Sequence, residues 1–168
     1  MIRVATLDDA ASIAAIFHAT VKAVNSRDYT EAQIMAWAGD SPDPGKWRAR
    51  QATRKTFVFE VAGVVRGFAE FKENGHIDAV YVHADHLGKG VASALLVRIE
   101  QEAKNLGLAR VYTEASITAR PFFAKRGFES LSSQEVEYRG CRFTNFKMSK
   151  AIPSQSPDPT PPSRHGAA

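Results

Sequence analysis

Apolar positions change their period along the chain, and the changes mark its elements. Ile2 and Val4 alternate with a polar residue and predict a short first strand over 2–5. Thr6-Leu7-Asp8-Asp9 reads as a capping-box variant, after which Leu7, Ala10, Ala14, Phe17 and Val21 recur on one helical face. Thr30-Glu31-Ala32-Gln33 caps a second, shorter helix through Trp37, and residues 40–45, with two prolines, read as a loop. Three strands follow at 57–61, 65–71 and 77–82, separated by turn signals at Ala62-Gly63 and Glu73-Asn74-Gly75. Val91, Leu95, Ile99 and Ala103 restore helical spacing until Gly107. A strand at 111–114, a helix with Pro121 in its first turn and closing strands at 134–138 and 143–148 complete the order. No internal repeat is visible. This order predicts an α+β domain with a mixed, mostly antiparallel central sheet flanked by helices.

The chain has 168 residues, 44% of them hydrophobic, which is one domain's worth of core. Residues 1–150 are expected to form it. Residues 151–168, rich in Pro and Ser and without apolar periodicity, read as a disordered tail. There is no run of eighteen apolar residues, and Met1-Ile2-Arg3-Val4 starts a strand pattern instead of a signal peptide, so a soluble, cytoplasmic protein without a membrane partner is expected. A net charge of +4 suits anionic ligands, yet Lys and Arg are scattered, and no nucleic-acid partner is expected. Cys141 is the only cysteine and reads as structural. His18, His83, His86 and His165 lack ligand spacing with a cysteine or acid cluster, so no metal is expected.

Candidate chemistry concentrates between His76 and Leu96, where a strand ends in His86-Leu87-Gly88-Lys89-Gly90-Val91-Ala92 and opens into a helix. Two glycines let the backbone curl and aim several N–H groups at one point, where the helix N-terminus adds partial positive charge; that is a phosphate site. A Walker A loop is excluded, because His83 stands where its first glycine belongs and Gly90 where its Ser or Thr belongs. The dinucleotide fingerprint is excluded too. Ser93 replaces its third glycine, and the segment comes halfway along the chain instead of after a first strand.

Leu87-Gly88-Lys89-Gly90-Val91-Ala92 resembles the pyrophosphate loop of the GNAT superfamily of N-acetyltransferases, departing from its pattern at Leu87, where Gln or Arg is usual. A second block, Glu114 through Phe128, looks like that family's late strand, helix and Gly-Phe segment. Asn25-Ser26-Arg27-Asp28-Tyr29 and Gly75-His76-Ile77-Asp78 resemble a bacterial YafP-like branch. The resemblance covers roughly residues 1–150. It implies the acyl-CoA N-acyltransferase fold, in which two central strands splay and acetyl-CoA enters the gap; here those are 77–82 and 111–114.

By the same resemblance, acetyl-CoA is the co-substrate. The main chain of Val80, Tyr81 and Val82 would pair with its pantetheine arm as an added strand would. The loop residues Leu87, Gly88, Lys89, Gly90, Val91 and Ala92, with Arg120, would meet its phosphates. The family's late-helix Tyr is Phe123 here, and the Asn that commonly precedes it is Ser116, so Ser116 and Phe123 line the thiol end without a tyrosine acid. Ser116, Thr118 or a water remains as donor, or the thiolate leaves unassisted. The family's general-base position falls near His76, eleven residues before Leu87. His76, Asp78, Val80 and Val82 should alternate onto one face, letting His76 accept the proton with Asp78 orienting it. The plainer alternative is a turn-ending His76 and a strand-end Asp78. Asn25, Tyr29, Gln33 and Trp37 lie around the first two helices, which wall the acceptor pocket in the family; ordinary helix packing is the competing account for the aromatics.

The implied reaction is transfer of an acetyl group from acetyl-CoA to a primary amine of a small molecule or polypeptide, by direct attack in a ternary complex. A nonenzymatic alternative is an acyl-CoA-binding sensor, motivated by the joint departures at Leu87, Ser116 and Phe123. A third is acetylation of an aminoacyl-tRNA, which the scattered charge does little to support. Edge strands near the C-terminus could pair two copies into a homodimer.

Overall fold

A computed structural model describes residues 1–154. Its elements are β1 (Ile2–Val4), α1 (Ala10–Ala23), α2 (Glu31–Ala38), α3 (Pro44–Arg50), β2 (Lys55–Val61), β3 (Val64–Phe71), β4 (Ile77–Val82), α4 (Val91–Asn105), β5 (Arg110–Ser116), α5 (Arg120–Lys125), β6 (Glu129–Tyr138) and β7 (Cys141–Ala151). Two antiparallel sheets, in the orders β1-β2-β3-β4 and β5-β7-β6, meet at one parallel bridge between His76 and Tyr112. Beyond that bridge β4 and β5 part, which opens the expected gap.

Both faces of the first sheet are covered, so β2 reads as a continuous apolar run instead of an alternation. Phe57 and Val58 are each fully buried yet belong to opposite cores. Phe57 packs with Phe71, Leu95, Ile99 and Val111 on the α4 side. Val58 packs with Ile13, Phe17, Trp47 and Phe68 on the α1 side. Close contact of α4 with the sheet depends on Gly67, where a Cβ would lie 2.7 Å from Val91 Cγ1.

Asp9 fixes the start of α1: its carboxylate accepts from Thr6 N–H at 2.7 Å and from both Arg3 terminal nitrogens at 2.8 and 3.0 Å. Ala10, Ala14, Phe17 and Val21 are buried as expected, but Leu7 is 54% exposed. It occupies a 3-10 turn over Leu7–Asp9 that precedes the helix, so its direction departs from the α-helical period.

A helix missed by the proline rule begins inside the expected loop. Asp43 caps α3 by accepting from Lys46 N–H at 3.0 Å, and Pro44 sits in the first turn, where a missing N–H costs nothing. This helix seats Trp47 between Phe17 and Phe68, with ring centroids 5.0 and 5.1 Å away.

The β3–β4 ladder pairs Phe71 with Ile77 and Glu70 with Ala79, leaving Asp78 as an extra, bulged residue. The expected sharing of one face by His76, Asp78, Val80 and Val82 therefore fails. Asp78 turns toward Arg50 and Glu70 on the α3 side, while Val80 and Val82 pack into the α4 core. At the other end, β7 runs to Ala151, and Ile152 is buried, its N–H donating to Ala109 O at 2.8 Å. Both residues belong to the fold, not to the tail drawn from residue 151; positions 155–168 lie outside the described residues.

Candidate active site

The turn after β4 has the backbone its glycines suggest. Gly88 and Gly90 adopt φ of +72° and +81°, and Gly90 precedes α4 with no side-chain cap, leaving the first N–H groups of the helix without a side-chain acceptor. Burial, and to a lesser degree the neighbouring charges of Lys89, Arg66 and His83, push the His86 imidazole below its ordinary pKa. Leu87 and Ala92 line the cavity that leads away from the loop. Val91 instead is buried in the core, and Arg120 stacks its guanidinium 4.1 Å over the Phe146 ring.

Two cavities meet in the gap between β4 and β5. One, of about 270 Å³, runs from Leu87 and Ala92 past Val80, Val82 and Phe123. The other, of about 490 Å³, is lined by Phe17, Tyr29, Trp47, Phe143, Lys46 and Arg50. Trp37, Asp78, Tyr81, Glu114 and Ser116 border both. Ligands in the two cavities would share these five residues as a common border.

Strand pairing decides which main-chain groups face the gap. His83 N–H donates to Arg66 O, so Tyr81, two residues back, also turns its main chain to β3. Val80 and Val82 alternate outward. The outward carbonyl of Val82 accepts from Thr20 Oγ1 at 2.9 Å, leaving Val80 as the residue whose main chain is open to an added strand. Tyr81 contributes its side chain instead, and burial pushes its phenol above the ordinary tyrosine range.

The acid–base groups are arranged differently from the expectation. His76 lines neither cavity; its Nε2 lies 2.5 Å from Glu114 Oε2, and its ring stacks on Tyr112 at 4.9 Å. An ionised carboxylate can only accept, so Nε2 carries the proton and donates it. Nδ1 is 3.8 Å from Asp78, too far for a hydrogen bond. Asp78 is spent elsewhere: it accepts from Arg54 Nε and from Arg50 at 3.2 Å. Burial pushes its pKa up, but these guanidinium groups outweigh burial and hold it below the ordinary carboxylate value. Glu70 beside it, fully buried and held by Arg50 at 2.5 Å, is raised because burial wins there. Glu114, which the motifs did not single out as a site residue, borders both cavities as Asp78 does, but its carboxylate meets His76 and, among the described residues, no arginine.

The remaining candidates divide. Ser116 Oγ accepts from Ala119 N–H at 3.0 Å and keeps its own O–H to donate at the junction, whereas the Thr118 hydroxyl is given to Asp28 at 2.8 Å. Phe123 is buried against Phe122 and Phe128. Tyr29 and Trp37 wall the larger cavity, with Tyr29 Oη accepting from Ile117 N–H and donating to Thr144 O. Asn25 lines the smaller one. Gln33 lines neither: it closes the capping box with Thr30 and donates to Arg142 O at 2.7 Å. Among the described residues there is no group of three or more His, Cys, Asp or Glu placed to hold a metal, and no helix is long and apolar enough to cross a membrane.

Comparison with known proteins agrees with this geometry. The acetyltransferase (GNAT) domain family matches residues 25–150. YafP of Escherichia coli K12, an uncharacterised N-acetyltransferase, is 36% identical over 140 residues, 83% of this chain and 88% of its own. A crystal structure of a GCN5-related N-acetyltransferase from Rhodopseudomonas palustris superposes with a TM-score of 0.86 at 36% identity, over 90% of this chain and 95% of that one. At the level of fold alone, the PaiA N-acetyltransferase of Thermoplasma acidophilum, solved with coenzyme A, matches with a TM-score of 0.72 at 16% identity, over 90% of this chain and 98% of that one. The chain belongs to the GNAT acetyltransferase family and is an acyltransferase with that family's fold.

Proposed function

We propose that this enzyme transfers an acetyl group from acetyl-CoA to a primary amine in a ternary complex, with Glu114 receiving the amine's proton. The observation that carries the reading is the position of Glu114, on the border of both cavities and fixed by His76 Nε2. The smaller cavity is assigned to the pantetheine arm and acetyl group of acetyl-CoA. The loop at Gly88–Gly90 supplies N–H groups for its pyrophosphate, Val80 supplies an open main-chain edge for its pantetheine, and the coenzyme A complex of PaiA supports the assignment.

An amine in the larger cavity reaches the thioester carbonyl at the shared wall. The nitrogen forms a bond to the carbonyl carbon, the C–S bond breaks, and the departing thiolate takes up a proton. Ser116 and Tyr81 are the hydroxyls at the junction with a proton to give, and a thiol pKa near 8.5 also lets the thiolate leave unaided. Glu114 accepts the nitrogen's proton, which general-base catalysis values at roughly 10²–10⁴ in rate. Holding both reactants at one wall supplies the larger share, up to roughly 7–11 kcal/mol in favourable systems. His76 acts through Glu114 as a positioning residue, and Asp78 helps hold Arg50, which borders the amine site.

Thiol release from acetyl-CoA, followed with a panel of primary amines, tests this. Amine-dependent release that falls at least a hundredfold in Glu114→Gln supports it. Tight acetyl-CoA binding with no release from any amine would replace it with the sensor reading.

A further inference from the structure

We infer that the acceptor is an amine that also carries a carboxylate, an apolar amino acid in type, and that Lys46 is the residue that selects it. The inference rests on the function proposed above and names the second substrate of that site. Two cationic side chains, Lys46 and Arg50, line the larger cavity, with Arg54 behind Arg50, and both arginines are committed. Arg50 is held by Glu70 at 2.5 Å and by Asp78 at 3.2 Å, and Arg54 is held by Asp78. Lys46 makes no ion pair among the described residues. Asp40 and Asp43 share a neighbouring hollow with it, yet neither comes within ion-pair distance of its ammonium.

The aromatic wall holds that ammonium over the cavity. Its Nζ sits 5.4 Å from the Phe17 centroid and 5.9 Å from the Trp47 centroid, inside cation–π range. Phe17 in turn packs edge-on against Tyr81 at 5.1 Å, and Tyr81 borders the junction with Glu114. The cavity thus has one uncompensated positive charge at the α3 end and a carboxylate at the reacting end. A zwitterion lies along that axis with its amine toward Glu114 and its carboxylate toward Lys46. The apolar body is received by Trp47, Phe143 and Tyr29. A phosphoryl dianion is disfavoured, because Glu114 and Glu137 also line the cavity and Lys46 is the one lining cation not already held by an acid.

The test compares acceptors that differ only in the carboxylate, phenylalanine against phenethylamine and leucine against isoamylamine, in thiol release by the full chain and by Lys46→Met and Lys46→Arg. The expected result is at least a tenfold higher kcat/KM for each amino acid. Lys46→Met raises the amino acid's KM at least tenfold with kcat changed less than twofold, leaves the decarboxylated amine unaffected, and is partly rescued by Lys46→Arg. Equal use of the decarboxylated amines, or a Lys46→Met loss that is the same for both members of a pair, overturns the inference while leaving the acetyltransferase assignment standing. Absence of turnover with every amine, despite acetyl-CoA binding, overturns the proposed function and this inference with it.

Discussion

Nε2 of His76, at the point where β4 and β5 begin to separate, lies 2.5 Å from Oε2 of Glu114 on the neighbouring strand. The contact lies beside the parallel bridge between His76 and Tyr112 that links the two sheets, so the place where the sheets meet also fixes a carboxylate that faces both cavities. Replacement of each partner separates their roles. Glu114→Gln keeps a hydrogen-bond acceptor for His76 but removes the base, and kcat should fall by roughly 10²–10⁴ with acetyl-CoA affinity unchanged. His76→Ala should cost less, about tenfold, because the base survives with its orientation loosened. Rate measurements with saturating acetyl-CoA that rank His76→Ala below Glu114→Gln in kcat would reverse the assignment.

Gly90 has a left-handed backbone, φ +81°, and a Cβ there would meet nothing within 4 Å. Its requirement is therefore conformational. Gly90→Val should strain the loop by about 1–2 kcal/mol and weaken acetyl-CoA binding tenfold or more, while Gly90→Asn, which tolerates this conformation better, should bind more nearly as the parent does. Titration of both variants checks the ordering.

Gly67 faces the opposite constraint. A Cβ at this position would stand 2.7 Å from Val91 Cγ1 and 3.2 Å from Tyr81 O, so Gly67→Ala must push α4 from the sheet. The expected cost is about 1–3 kcal/mol, read as a fall in Tm of roughly 2–4 °C per kcal/mol. A variant that melts with the parent would show that α4 does not pack this closely on β3.

Asp9 links the N-terminal strand to α1, and its pKa is lowered first by the hydrogen bonds from Arg3, against a smaller opposing effect of burial. A carboxylate with a depressed folded-state pKa stabilises fully above its unfolded value and loses that contribution as pH falls through the folded value. Asp9→Asn should accordingly be less stable than the parent by about 1 kcal/mol at pH 6–8, with the gap closing below about pH 4. Urea unfolding at a series of pH values would show it; a gap that widens in acid would contradict the sign.

Much of this architecture is written locally. The bounds of β4, the glycine turn and the stripe Val91, Leu95, Ile99 and Ala103 follow from periods and turn residues that each segment carries by itself. What escaped depends on partners distant in sequence. The bulge at Asp78 exists only in the register of β4 against Glu70 and Phe71, so alternation along the strand could not reveal it. Glu114 meets His76 across 38 residues and two sheets; its one local signal is its place on the outward, polar side of β5 with Tyr112 and Ser116. Pro44 disguised α3, and with it Lys46, because a proline read as a loop signal here occupies a helix's first turn.

The central claim is that the gap between β4 and β5 takes acetyl-CoA, and isothermal titration of the purified chain with acetyl-CoA, against CoA and ATP, tests it most directly. Binding of acetyl-CoA and CoA at least tenfold tighter than ATP, weakened in Gly90→Val, is the predicted result. Heats no greater for acetyl-CoA than for ATP, unchanged by Gly90→Val, would contradict the assignment of the loop and the channel together.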